Sequence, residues 1–198
     1  MGILSWLFGR GSAGTKPSLP VKIMGVPGIS GRPIDFYPLA VKAIRCFGGV
    51  RPEKAAWLAG AVAKHLNQGR IAEKVAKDGT LLADDERAEL GLPKSPRISR
   101  ETFDALTPEA RTAPLASLEI LVGRIAGWAY DEDRRRSDAD GMDIGWRRVI
   151  RAPRGCCKEA AALRRRKFPM GKTPALPLDA CRVGDCQCRW ELDRGPRK

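Results

Sequence analysis

Five of the six cysteines lie in the last quarter of the chain, where thiols at such spacings can hold a metal ion. Those five are Cys156, Cys157, Cys181, Cys186 and Cys188. A tetrahedral zinc site needs four ligands, with sulfurs at about 2.3 Å from the metal. Cys181 and Cys186 flank a turn that contains Gly184, and in a strand Cys188 would share a face with Cys186. The sequence therefore predicts one structural zinc held by Cys181, Cys186, Cys188 and either Cys157 or Cys156.

Two other chemistries fit the same spacing. The C-x4-C-x-C pattern lacks the paired C-x2-C that is typical of structural zinc modules. A disulfide between Cys181 and Cys186, or between Cys156 or Cys157 and the later group, would stabilise a segment that is poor in core residues. Free thiols also pack as small apolar groups. Zinc, disulfides and buried thiols therefore all remain open on spacing alone.

Catalytic chemistry has little support in this sequence. His65 is the only histidine, so any site that needs two histidines from this chain is excluded. It falls on the apolar face of a predicted helix, which favours a packing role. A nucleophilic cysteine would need a general base nearby, and the only histidine lies far from the cysteines in sequence. We therefore expect no catalytic residue and no enzyme activity.

Positive charge is concentrated beside the cysteines. The formal net charge is +13, and residues 146–198 hold 15 Lys or Arg and 5 Asp or Glu. The cluster Arg164, Arg165, Arg166 and Lys167 is predicted to contact phosphates or an acidic partner. Trp146 and Trp190 would then stack on bases. This pattern indicates a nucleic-acid-associated protein as one of two function hypotheses.

The other hypothesis comes from the N-terminus. Trp6, Leu7 and Phe8 belong to a short apolar stretch before a Gly/Ser/Pro linker, and we expect them to dock into a protein partner or touch a membrane surface. The alternative is that they pack on their own domain. The stretch is too short for a signal peptide, and no run of about 18 apolar residues predicts a transmembrane helix. We expect a location in the cytoplasm or within a particle, in a reducing environment.

Apolar spacing and capping signals predict a mainly α fold: a small helical body, extended proline-rich segments and a C-terminal α+β module with the cysteines. The body should contain helices at 36–47, capped by Asp35, and from Pro52 to Leu66. Shorter helices are predicted at 71–76 and 82–90, with further starts at Ser99 and Thr107. The strongest helix should span 114–130. The predicted divisions are 1–20 (apolar peptide and linker), 21–130 (helical body), 131–145 (charged linker) and 146–198 (basic cysteine module).

Within the module, the sequence predicts an edge strand at 146–151, a helix at 156–167 and a second strand at Arg189-Trp190. Prolines at 169, 174 and 177 predict an extended stretch between them.

The last 50 residues or so resemble a small group of proteobacterial proteins. The resemblance rests on Arg166-Lys-Phe168, on Pro174-Ala-Leu-Pro-Leu178 and on Cys181-x4-Cys186-x-Cys188-Arg-Trp190, preceded by a helix with a cysteine, here Cys156 or Cys157. Trp190 stands where the group has Tyr. The resemblance implies a compact cysteine-bearing module and carries no activity. We therefore expect a non-catalytic structural or interaction protein, for example in a phage-like assembly, with nucleic-acid association as the alternative.

Overall fold

Helices form most of this protein, as the apolar spacing predicts. The computed structural model describes residues 18–22, 33–141, 147–179, 181 and 186–193. Two short strands, β1 (Pro20–Lys22) and β2 (Pro33–Asp35), pair antiparallel and lead into the helical body. The body helices are α1 (Phe36–Phe47), α2 (Ala55–His65), α3 (Ile71–Ala76), α4 (Asp84–Glu89), α5 (Arg100–Ala105), α6 (Pro108–Arg111) and α7 (Pro114–Asp140).

Capping side chains set the helix starts where the sequence predicts them. Oδ1 of Asp35 accepts a hydrogen bond from the Tyr37 amide at 3.1 Å and begins α1. Oγ of Ser99 accepts from the Thr102 amide at 3.2 Å, and the Thr107 hydroxyl caps α6. These oxygens satisfy amides that have no partner within the first turn. The predicted beginnings of these three helices are confirmed.

The core lies where α7 crosses the other body helices. Ile125 is fully buried on α7 and belongs to the same cluster as Leu58 and Val62 of α2 and Phe36 of α1. Trp128 packs its ring 6.2 Å from that of Phe47. The predicted apolar stripe of this helix is therefore the centre of the body. No helix in the described ranges is long and apolar enough to cross a membrane.

Helix α7 runs ten residues further than predicted. The stretch 131–140, expected to be part of a charged linker, is helical as far as Asp140. Glu132 accepts hydrogen bonds from Arg135 and Arg136 at 2.8 Å, which are pairs at i,i+3 and i,i+4. Asp133 is fully buried. Opposite charges at helical spacing stabilise the extra turns, so the mixed-charge run continues the helix.

The C-terminal module is a small sheet with one short helix. Strand β3 (Arg147–Arg151) lies between β4 (Phe168–Pro169) and β5 (Arg189–Leu192), and all pairings are antiparallel. Helix α8 (Lys158–Leu163) packs on β3 and is shorter than the predicted 156–167. The expectation that β3 is an edge strand is wrong, because strands pair on both of its sides. The mainly α fold with a small α+β part is confirmed.

Two close contacts join the module to α7. Arg148 on β3 forms an ion pair with Asp138 of α7, and its Nε and Nη2 atoms each lie 2.5 Å from Oδ2. Gly171 adopts a φ of +73°, and a Cβ atom there would lie 2.3 Å from Cα of Ala139. Glycine is therefore required on conformational and steric grounds. These contacts hold the sheet against the last turns of α7.

Asp131 gives this junction a pH dependence. Burial raises the pKa of its carboxyl from 3.8 to about 6, against the opposing charges of Arg148, Arg134 and Arg189. Because the folded pKa lies above the unfolded one, this group's contribution to stability is fully present below about pH 4. That contribution is lost as the pH rises through about 6.

We therefore expect Asp131→Asn to be more stable than the wild type above about pH 6, by up to about 3 kcal/mol, with the difference vanishing below about pH 4. Urea unfolding of both proteins between pH 4 and 8 measures this difference. Asp85→Asn, at an exposed position, is the control and should show no such trend. If the difference in unfolding free energy between Asp131→Asn and the wild type were the same from pH 4 to pH 8, the prediction would be contradicted.

Candidate metal centre and basic surface

The five cysteines of the module meet at one small cavity. This cavity of about 30 Å³ has room for one water-sized group. It is lined by Pro153, Arg154, Gly155, Cys156, Cys157, Cys181, Cys186, Gln187 and Cys188. The loop before α8 supplies one wall, and the segment that leads into β5 supplies the other. The structure thus brings together all the sequence-predicted metal or disulfide residues.

The thiols interact with one another inside this cluster. Cys181, Cys186 and Cys188 are buried, whereas Cys156 and Cys157 are partly exposed. A hydrogen bond with Cys188 lowers the pKa of Cys186, and the same bond together with burial raises the pKa of Cys188. Cys186 also has a side-chain hydrogen bond with Cys181. The hydrogen bond between these two side chains therefore favours ionisation of Cys186 over ionisation of Cys188.

Cys157 has a defined structural position at the cavity rim. It is the N-cap residue of α8, and its sulfur accepts a hydrogen bond from the Ala160 amide at 3.4 Å. The neighbouring Cys156 sulfur instead accepts one from Nη2 of Arg164, also at 3.4 Å. The two adjacent cysteines therefore have different partners.

Cys46 joins the cluster from the helical body. Its thiol donates to the carbonyl oxygen of Cys181 at 3.7 Å, across 135 residues of sequence. Burial raises the pKa of this thiol, and the charge of Arg45 opposes that shift. The contact of Cys46 could not be predicted from the sequence, because no local spacing indicates that α1 meets the end of the chain. Cys46 does not line the cavity.

All six cysteines are free thiols in the structure. Within the described ranges, no three His, Cys, Asp or Glu side chains are already arranged as ligands around a common point. The sulfurs line the same cavity and form hydrogen bonds with one another, but they are not arranged as the four ligands of a tetrahedral metal site. The choice among zinc, disulfide and free thiol therefore stays a prediction.

The basic cluster that follows α8 is exposed, and most of its members have internal partners. Arg164 donates to the carbonyl oxygens of Ala152 and Pro153, which ties the end of α8 to the cavity loop. Lys167 pairs with Asp193 at 2.5 Å, and Arg166 lies 5.3 Å from the centre of the Phe168 ring. Arg165 is exposed at the same surface. The role of these residues in contacting phosphates or an acidic partner stays a prediction.

Trp190 is not free to stack on nucleic-acid bases. Its side chain is buried, its Nε1 donates to the carbonyl oxygen of Pro174 at 3.0 Å, and its ring meets Phe168 edge to face at 5.3 Å. An aromatic side chain that packs between strands belongs to the core of the module. The stacking hypothesis is therefore wrong for Trp190, whereas Trp146 lies outside the described residues. Trp6, Leu7 and Phe8, predicted to dock into a partner, also lie outside them.

A second cavity lies in the helical body. It has a volume of about 160 Å³ and sits between the loop before α5 and the start of α7, with mostly apolar walls such as Leu92, Ile98 and Leu115. His65 has Asp78 and Gln68 as neighbours and does not line the cysteine cavity. This histidine therefore does not provide a base at the cavity.

Comparisons of the chain with protein-family models, curated sequences and solved structures each return no match. The resemblance of the last 50 residues to a proteobacterial group therefore stays a prediction.

Proposed function

We propose that this protein is a non-catalytic structural component that joins a larger assembly, such as a phage-like particle, by binding an acidic protein partner. The observation that carries the proposal is the surplus of exposed cations around the cysteine cavity. Arg154 lines the cavity and is exposed, and Lys158 and Arg165 are exposed at the start of α8 and just beyond its end. The nearby acids Glu191 and Asp193 are already paired, with Arg151 and Arg189 and with Lys167 respectively.

The hydrogen bonds that anchor this surface support a binding role. Arg164 anchors the end of α8 to the loop that carries Arg154, so the exposed cations sit on one fixed unit. A preorganised charged surface loses little freedom on binding, and charge complementarity governs the rate and specificity of association. The cavities at the cysteines and in the body, about 30 and 160 Å³, are smaller than the 300–1,000 Å³ or so that is usual for small-ligand sites.

Nucleic-acid association is the second candidate function, and the same exposed cations favour it. Contact with the phosphate backbone of a nucleic acid requires only an exposed, positively charged surface. The burial of Trp190 removes one of the two predicted base-stacking groups, so protein binding is the better supported of the two.

Sedimentation of a lysate from the source cells tests the proposal. We expect the full chain to sediment in a heavy fraction at a fixed ratio to defined partner chains, and to stay there after nuclease treatment. The double variant Arg154→Glu with Arg165→Glu should weaken this association by more than about tenfold, because like charges then face the partner. Lys94→Glu with Arg97→Glu makes the same charge change on an exposed loop of the body and should have no effect.

Two results would overturn the assembly role. One is a wild-type chain that remains entirely in the light fraction. The other is a heavy fraction that nuclease releases. In that second case, binding to a DNA duplex should fall steeply with salt, and each lost phosphate contact should reduce the log–log slope by about one.

A further inference from the structure

Positive charge from three separate elements surrounds the cysteine cluster. Arg164 after α8 donates to the Cys156 sulfur, and the charges of Arg45 on α1 and Arg124 on α7 favour ionised sulfur at the cluster. A nearby guanidinium group favours the ionised form of a thiol, which is the form that binds a metal. The arrangement therefore suits sulfur that carries negative charge.

Arg45 provides a second and independent observation. Its Nε and Nη2 atoms are buried and have no hydrogen-bond partner among the described residues. A buried N–H without a partner costs about 1–3 kcal/mol, and more when the group is charged. An anionic cluster close to Arg45 would add to the electrostatic compensation that the Asp179 carboxylate provides.

We propose that Cys157, Cys181, Cys186 and Cys188 bind one Zn²⁺ ion, and that Arg45, Arg124 and Arg164 balance the charge of the complex. Four thiolates and one divalent ion leave a net charge of minus two at the centre. All-sulfur donor sets of this kind suit zinc. Each ligand loses its thiol proton to solvent as its zinc–sulfur bond forms, so binding needs no oxidant.

The ligand set follows from where each sulfur lies. Cys181, Cys186 and Cys188 come from one wall of the cavity, and the fourth ligand must come from the loop opposite. The Cys157 sulfur accepts the Ala160 amide, a bond that holds a thiolate in place at the start of α8. Cys156 and Cys46 remain thiols outside the ligand set, with Arg164 and the Cys181 carbonyl as their partners.

Such an ion would join the two walls of the cavity. Cys157 lies in the loop that begins α8, whereas Cys181, Cys186 and Cys188 come from the chain before β5. A zinc ion would fix both parts of the chain to the same point. This centre and the proposed assembly role are independent, so either could fail alone.

Native mass spectrometry of the full chain, purified with reductant and with zinc present, tests the proposal. We expect about one zinc ion per chain. Cys188→Ser should lose the ion, whereas Cys46→Ala and Cys156→Ser should keep it. Replacement by Co²⁺ should give the intense ultraviolet and visible bands of tetrahedral thiolate coordination. Arg45→Leu should keep the ion and weaken its affinity by about tenfold or more.

If Cys188→Ser fails to fold, measurements on the wild type alone test the zinc proposal. Stepwise blocking with a mercurial reagent should then release zinc in proportion to the thiols modified. A chain with six titratable thiols and no zinc would overturn the proposal in favour of free thiols. A chain without zinc whose mass is lower by two hydrogens per bridge would overturn it in favour of disulfides. Bound iron, or an ion retained in Cys188→Ser, would overturn it as well.

Discussion

Replacement of Ile125 by alanine is expected to lower the free energy of unfolding by about 3–4 kcal/mol. Ile125 is fully buried at the centre of α7, where the helix packs against α1 and α3. The substitution removes buried methyl and methylene groups and leaves a cavity that tightly packed neighbours cannot fill completely. Urea unfolding, with comparison of the midpoint and slope, measures the effect.

Ile120→Ala is the matched control for that prediction. Ile120 lies on the same helix, and its side chain is 55% exposed. The same chemical change there removes little buried surface and should alter the free energy of unfolding by less than about 1 kcal/mol. Equal losses of unfolding free energy at the two positions would mean that the face of α7 with Ile125 is not the face that packs on the other body helices.

The second large effect is expected at the junction between α7 and the sheet. Arg148→Met should cost about 3–5 kcal/mol at neutral pH, because it leaves the Asp138 carboxylate without its partner in a buried place. The two side chains are only 5% and 12% exposed, and Nε and Nη2 of Arg148 both contact Oδ2 of Asp138. Loss of Arg148 also removes a charge that favours ionised Asp131, which adds to the cost.

Arg151→Met provides the control, since Arg151 is 69% exposed on the same strand and pairs with Glu191. An exposed pair of this kind contributes about 0–1 kcal/mol. The double variant Arg148→Met with Asp138→Leu should recover much of the loss, because it removes both charges together. If Arg148→Met were no more harmful than Arg151→Met, the junction would not depend on this ion pair.

Helix positions were largely predictable, because local signals determine them. Asp35 before an apolar-periodic stretch and Gly48-Gly49 after it define α1, and Ser99 and Thr107 mark the next starts. The length of α7 was underestimated because a dense run of both charges resembles a linker. Pairing between Glu132 and the arginines that follow it makes the run helical.

The gathering of the module's cysteines was predictable for a similar reason: their spacing places them around one turn and one helix start. Long-range contacts were not predictable. Cys46 lies 135 residues from Cys181, and nothing near it in sequence reports the contact. The central place of β3 depends on pairing with both β4 and β5, which the sequence of one strand does not disclose. The burial of Trp190 depends on Phe168 and Pro174, which precede it in the chain.

The glycine at position 171 limits how this tail could be reused. Its backbone approaches α7 so closely that a Cβ atom at position 171 would overlap the backbone of Ala139. Transplanting the cysteine-bearing tail onto another helical scaffold would therefore require this glycine to be kept and the recipient helix to approach it equally closely. A side chain at position 171 would push the sheet outward and separate Arg148 from the acid it needs. Shape at one point of contact, more than the cysteines themselves, decides which scaffolds could accept the tail.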